Sequence, residues 1–238
     1  MWVIETLANT IDALALVVIM CFVYGALLRG LPAGRPRELL LGAAFGLAGA
    51  LMLLSPVDFS PGMAVDSHGL MIALPAAFAG FRAGAMALAI VAVARWSMPW
   101  SVDVAVGGFP LLLTLIGLAV YFAGGLAWRW FIRWRMTGRS TWLVALSLVV
   151  TVKPLTLIAA ELPLMVLFPD KLGVLALQNL VCLVGLWIGA GLILREESLE
   201  WQDRRNTELA RVDPLTAALN RRGFDEAVAG DGLGGRYA

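Results

Sequence analysis

The residues that could do chemistry in this chain of 238 residues are few, and most sit inside apolar runs. Arg82, Lys153 and Glu161 are ionisable groups embedded in long hydrophobic stretches, with Gln178 and Asn179 as uncharged polar neighbours. Burying such a group in a membrane is costly unless it is paired or hydrated, so each is a ligand-contact candidate by default. Lys153 and Glu161 are eight residues apart, which on a helix offsets them by about 80° and gives them one broad face. The competing reading is mutual neutralisation, or snorkelling of Lys153 toward headgroups. A second group lies around "VDSHG", where Asp66 and His68 precede an apolar segment that ends in Arg95 and Trp96. His68 is the only histidine. A lone imidazole makes a poor metal site, because zinc needs three or four converging ligands, but it suits the polar mouth of a pocket and changes charge near neutral pH. For Arg95 the alternative role is an interface anchor beside Trp96. No catalytic or metal-binding residues are expected: the membrane part has no phosphate-cradling glycine loop with lysine, no H-E-x-x-H and no nucleophile elbow.

Composition says what must hold these groups. Apolar residues make up 60% of the chain and charged ones only 15%, outside the range of ordinary soluble domains, so the expectation is an all-α integral membrane protein with lipid as its first partner. Residues 1–194 carry eleven Lys/Arg and eight Asp/Glu, whereas the last 44 carry seven and nine, which predicts two regions in two solvents. Net charge of +1 without a basic water-facing cluster argues against nucleic acid. Cys21 and Cys182 fall in apolar runs and read as small hydrophobes. The first apolar run has no basic stretch before it and no small-residue cleavage site after it, so it is expected to remain as an anchor.

Crossing a hydrocarbon core of roughly 30 Å takes about 20 apolar helical residues. Six runs qualify: Thr6 to Leu28, Leu39 to Leu54, Leu70 to Ala94, Val104 to Ala127, Trp142 to Phe168 and Gly173 to Leu194. The second contains Gly42, Gly46 and Gly49, a pattern that favours close helix contact. Trp96, Trp100, Trp128, Trp130, Trp134 and Trp142 fall near predicted ends, where an indole prefers the headgroup layer. The preferred architecture is a six-helix transmembrane bundle with a cytoplasmic exit helix. The alternative is five spans plus a broken or re-entrant third segment, because "FAGFRAG" puts Arg82 between Gly80 and Gly84 in the middle of that run. The acid-free loop with Arg129, Arg133, Arg135 and Arg139 predicts a cytoplasmic side, and places the C-terminus there too. Six full spans then leave Arg29, Arg35 and Arg37 outside, against the same rule. Beyond Leu194, "REESLEWQDRRNTELARV" would span about 27 Å as a helix, and its partial stripe of Leu199, Trp201, Leu209 and Val212 allows a homodimeric coiled coil. The glycine-rich "VAGDGLGGRYA" is expected to be poorly ordered.

Two stretches resemble known families. "LLGAAFGLAGALMLLSP" with "PGMAVDSHGLMIALPAAFAGFRAGAMALAIVAVARW" resembles the five-transmembrane sensor family of the LytS/YhcK type, over roughly Leu39 to Leu194. In that family an acidic-or-amide, any, arginine motif follows the second helix. It falls here on Asp66, Ser67 and His68, with His68 standing where arginine is usual. The family's glycine-rich break falls on "AGFRAG", its helix-ending arginine on Arg95 and the polar residue of its last helix on Asn179. The resemblance implies a pocket among the helices for an unknown small molecule or envelope-derived signal. It also implies a fold similar to the substrate-binding subunits of vitamin transporters, which makes a solute-binding or transport subunit the alternative. "DPLTAALNRR" resembles the D-x-L-T-G-L-x-N-R-R opening of GGDEF diguanylate cyclase domains. Asp213, Leu215, Thr216, Asn220, Arg221 and Arg222 lie on its pattern positions, while Ala217 and Ala218 replace the usual Gly-Leu. In that family the segment couples a signalling helix to the cyclase, which implies a coupling role for Asp213, Thr216, Asn220, Arg221 and Arg222.

The parts that would use Mg and GTP lie downstream of this opening in that family, so these 238 residues are expected to need no cofactor and to be no working cyclase. Physics points the same way, because two-metal phosphoryl transfer needs carboxylates fixed on a folded scaffold, and residues 213–238 are too few to bury a core alone. The combined expectation is a sensor domain over 1–194, a signalling helix over 195–212 and the start of a GGDEF domain over 213–238, in a multi-pass protein of the bacterial inner membrane.

Overall fold

The structure, a computed structural model, describes residues 2–54, 57–60, 63–65, 68–97, 109–136, 138–158 and 172–209, with the isolated positions 218, 220 and 224. It is helical apart from one short hairpin. The helices are α1 (Trp2–Gly30), α2 (Arg35–Met52), α3 (Leu70–Phe78), α4 (Phe81–Trp96), α5 (Phe109–Ala127), α6 (Thr141–Thr156) and α7 (Leu172–Leu209). Strands β1 (Val57–Ser60) and β2 (Met63–Val65) pair antiparallel between α2 and α3. Among the described residues three helical stretches are long and apolar enough to cross a membrane: Ile11–Gly30, Leu115–Met136 and Asn179–Thr207. Ile19, Phe22, Leu47, Leu51, Val150 and Leu180 are exposed, as apolar side chains facing lipid would be. The chain divides into two units, Met1–Glu196 and Glu197–Ala238.

The third apolar segment is not one helix, so the expectation of six continuous helices does not describe this region. All nine residues of α3 are buried, as an all-apolar helix requires, and at about 13 Å it is too short to span. It ends where the Pro75 carbonyl accepts from both Ala79 and Gly80, each at 2.9 Å. Gly80 has φ of 105°, a conformation that strains any residue with a Cβ, and from there the chain folds back into α4. The two helices pack antiparallel: a Cβ at position 84 would stand 2.6 Å from the Cβ of Ala76. The break expected in the third segment is present, with the turn set by Gly80 rather than by Arg82.

Close approaches fix the direction of every other helix in the first unit. Gly46 faces Ala87 and Ile90, and Gly49 faces Val91, so α2 runs parallel to α4 through the expected glycine face. Gly125 lies against Ala73 and Ala76, and the Phe78 and Trp128 rings are 5.1 Å apart, so α5 runs parallel to α3. Gly124 meets Val152, and Trp128 Nε1 donates to Ser147 Oγ at 2.8 Å, which makes α6 antiparallel to α5. Gly185 faces Leu70 and Leu14, and Gly189 faces Leu74 and Val17, so α7 runs with α1 and α3. From α1 through α7 the chain alternates direction at each helix. One end of the first unit therefore carries the start of α3, the other the turn at Gly80.

This alternation gathers charge. Arg29, Arg35, Arg37, Arg82, Arg129, Arg133, Arg135 and Arg139, eight of the eleven basic residues before position 195, all fall at the Gly80 end, where Glu38 pairs with Arg82 and Glu196 with Arg29. Trp130, Trp134 and Trp142 are exposed near that end and Trp96 near the other, as ring anchors would be. Trp128 departs from that expectation. It is fully buried against Phe78, because its N–H finds Ser147 inside the bundle and needs no headgroup or water. Trp100 lies outside the described residues.

In the second unit, residues from Glu197 continue the helix to Leu209, held locally by an ion pair of Glu200 with Arg204 and by Arg205 stacked 5.2 Å from the Trp201 ring centre. Leu199, Trp201 and Leu209 are exposed there.

Candidate functional site

Of the polar side chains buried among the described residues of the first unit, His68, Arg95, Lys153 and Thr156 lie at the end where α3 begins, and Glu196 at the other. Within α4 the turn after Val91 brings Arg95, and the turn before Met71 is the His68–Gly69 approach to α3. Val91 and Met71 both pack on Gly49, which puts these two turns side by side. Arg95 is 5% and His68 8% exposed, and the Nε and Nη1 atoms of Arg95 have no hydrogen-bond partner among the described residues. Burial, and after it the positive charge of Arg95, lower the pKa of His68 from 6.5 to about 3, so the imidazole is neutral at physiological pH.

The wall opposite comes from α5 and α6. The Tyr121 ring lies directly over Gly69, so closely that a Cβ there would overlap it. Lys153 is buried with its Nζ 6.0 Å from the centre of the same ring, a cation–π geometry. Pro154 follows it in α6, and the hydroxyl of buried Thr156 donates to the Lys153 carbonyl at 3.0 Å. Asn179 is half-buried in α7, six residues before the glycine that faces Leu70, and so belongs to the same end.

The sequence candidates thus separate. His68 and Arg95 come together, with Asn179 at their end. Arg82 sits at the opposite end, half exposed, where its Nη1 donates to Glu38 Oε2 at 2.9 Å and ties the start of α4 to the start of α2. Asp66 and Glu161 lie outside the described residues, as do Asp213, Thr216, Arg221 and Arg222. Asn220 is half-buried, and its carbonyl accepts from the Phe224 N–H at 2.9 Å.

Three residues with evident positional roles carry no signal in the sequence. Tyr121 reads as one more apolar residue of α5. Arg129 reads as part of a charged loop, yet its guanidinium donates to the Phe78 carbonyl and, at 3.4 Å, to that of Ala77, covering the end of α3. Glu196 reads as the start of a solvated run, yet it is buried on Gly25 and accepts from Arg29 at 2.6 Å.

Fold and site together give a helical protein with three helical stretches long and apolar enough to cross a membrane, buried cationic and aromatic side chains at one end of its first unit and an arginine-rich surface at the other. Comparison with protein-family models, with curated proteins and with solved structures finds no match to this chain.

Proposed function

We propose that the chain is a membrane-embedded sensing module that binds a small molecule or envelope-derived signal at the His68–Arg95 end and relays it through α7 to a cytoplasmic output domain. The observation that carries this reading is the continuity of α7. One unbroken helix includes Gly185 and Gly189, packed on α1 and α3, then Glu196 on Gly25, and then the charged run that precedes "DPLTAALNRR". A signal bound beside α3 acts on the charged run only by favouring one placement of α7 over another. Glu196 and Arg29 are positioned to hold one such placement.

The arginine end supports a cytoplasmic assignment by the positive-inside rule, with the protein crossing a bacterial inner membrane several times. The fold-back at Gly80 supports it further. It adds a reversal of direction, so that Arg29, Arg35 and Arg37 share an end with the Arg129 to Arg139 loop and no longer oppose the rule. The charged continuation of α7 offers a dimer contact to two output domains, and the likeness of the following segment to a GGDEF opening suggests a diguanylate cyclase as the enzyme controlled, with Mg and GTP belonging to that domain. A solute-binding subunit would use the same helices but has no use for the charged continuation.

The test is a fusion of residues 1–222 to an active GGDEF cyclase domain in vesicles. Output is expected to change when His68 and Arg95 are altered together and to be insensitive to Arg82→Gln. Unchanged output for the His68/Arg95 double variant would reject the sensor reading.

A further inference from the structure

One segment of the first unit is basic and aromatic at once, the one that ends the apolar stretch Leu115–Met136 and turns back into α6. From Trp128 the helix widens into a π turn (Trp128–Ile132) and then tightens into a 3-10 turn (Arg133–Met136), before Gly138, at φ of 83°, bends the chain toward α6. These turns sort the segment into two faces. On the inner face Trp128 is buried, Ile132 packs on the core, Arg129 donates to the Phe78 carbonyl, and Arg133 lies 5.4 Å from the centre of the Phe78 ring. On the outer face Trp130, Phe131 and Trp134 are 71%, 71% and 78% exposed, and Arg135 and Arg139 are exposed as well. The sequence has no acid between Asp103 and Glu161, and neither Arg135 nor Arg139 makes an ion pair with a described residue. Glu38 and Glu196, the acids of the first unit at this end, are taken by Arg82 and Arg29.

We propose that the outer face of this segment is a docking surface for anionic phospholipid, with the three rings entering the interfacial layer and Arg135 and Arg139 meeting headgroup phosphates. Depth favours a lipid over an acidic protein. The segment ends a stretch long and apolar enough to cross a membrane, so its rings emerge at the headgroup layer, where an indole is favoured, whereas in water they would form an apolar patch. Charge selects the kind of lipid. A zwitterionic headgroup offsets its phosphate with its own ammonium, whereas an anionic one leaves the phosphate charge to the guanidinium. Because Arg129 and Arg133 of the same segment hold Phe78, the last residue of α3, lipid seated on the outer face would steady the turn at Gly80. That turn then depends on the anionic lipid of its leaflet. The proposal rests on the membrane reading and takes nothing from the His68–Arg95 end.

The experiment uses the whole purified chain, stripped of lipid in zwitterionic detergent and titrated with dioctanoyl phosphatidylglycerol, dioctanoyl phosphatidylcholine or inorganic phosphate at equal ionic strength. At about 100 times its Kd, phosphatidylglycerol is expected to raise the melting temperature by roughly 5 °C, phosphatidylcholine by clearly less, and inorganic phosphate not at all. Arg135→Gln/Arg139→Gln changes two exposed side chains, so without lipid it should melt within about 1 °C of wild type. It should bind phosphatidylglycerol at least about tenfold more weakly. Arg204→Gln removes one positive charge from the second unit and should leave the rise intact. Trp134→Ser should weaken both lipids alike, because the ring meets the interface whatever the headgroup. No rise, an equal rise with phosphatidylcholine or with inorganic phosphate, or a rise that survives Arg135→Gln/Arg139→Gln overturns the proposal. So does a loss as large in Arg204→Gln as in the double variant, which would reduce the effect to bulk charge. Assembly into phosphatidylcholine nanodiscs checks the membrane reading by itself. A chain that enters those discs but gives no phosphatidylglycerol response rejects the lipid surface alone, and one that stays out of them rejects both.

Discussion

Glu196 of α7 lies on Gly25 of α1 with no room for even a methyl group between them, and its carboxylate reaches Arg29 one turn further along α1 at 2.6 Å. The two helices touch here through a glycine and a charged pair rather than through interlocked apolar side chains. A contact of that kind can be broken without opening the core.

Gly25→Ala is expected to displace the Glu196 side chain, which is long enough to swing away, and to break its pair with Arg29. Arg29 is half exposed, so the loss of stability should be modest, about 1 kcal/mol. The effect on a fused cyclase should be out of proportion to it. Equal output from wild type, Gly25→Ala and Glu196→Gln, measured as cyclic di-GMP formed per minute, would remove this contact from the relay.

The turn at Gly80 should be the most sensitive point of the third segment. Gly80→Ala forces a Cβ onto φ of 105° and against the Arg129 guanidinium, and should cost about 1–3 kcal/mol. Arg129→Gln removes the charged donor from the Phe78 and Ala77 carbonyls and should cost about 1.5–3 kcal/mol. Because both act on one turn, the double variant should lose clearly less than the sum. Thermal unfolding of the four proteins in one detergent checks this, and full additivity would mean that the two residues act separately.

What the sequence disclosed and what it hid follow from the range of the interactions involved. Apolar run length, the glycine face of α2 and the interruption at "AGFRAG" are local, and each was legible. The partner that covers the interruption was not, since Arg129 lies about fifty positions away, and Arg82, the conspicuous charge at the break, is occupied with Glu38 instead. Trp128 looked like its neighbours Trp130 and Trp134 because only the fold supplies the Ser147 hydroxyl that lets its N–H be buried. The conflict over Arg29, Arg35 and Arg37 could not be settled by counting runs either. A reversal inside an apolar run leaves hydropathy unchanged while it exchanges the ends of everything before it.

His68 should make the folded state sensitive to acid. Its folded pKa, about 3, lies below the unfolded value of 6.5, so between those values the unfolded chain binds the extra proton and stability falls as pH falls. The contribution is fully present above pH 6.5 and lost progressively down to about pH 3, reaching on the order of 2 kcal/mol by pH 5. Other groups titrate in this range, so the measurement is the difference between wild type and His68→Gln, each melted from pH 7.5 to 5.0 without added phosphate or carboxylate. The wild type should lose several degrees more than the variant over that interval. Parallel profiles would mean that His68 protonates freely in the folded protein.

Sidedness is the prediction that tests the fold-back most directly, because six crossings and the alternation of α1 to α7 disagree about the loop between α1 and α2 and about the hairpin between α2 and α3. With Cys21 and Cys182 replaced by alanine, single cysteines at Arg35, Arg139 and Asn206 should all react with a membrane-impermeant maleimide only after the cytoplasmic face of a bacterial inner membrane is opened. A cysteine at Asp58, in the hairpin between α2 and α3, should react from the opposite face. Six full spans would separate Arg35 from Arg139, whereas the reversal at Gly80 keeps the two together. Basic residues retained on the cytoplasmic side supply the physical reason for the second outcome. Labelling of Arg35→Cys from the outer face, with Arg139→Cys labelled from within, would show that α3 and α4 cross as one segment and that the turn at Gly80 does not exist in the bilayer.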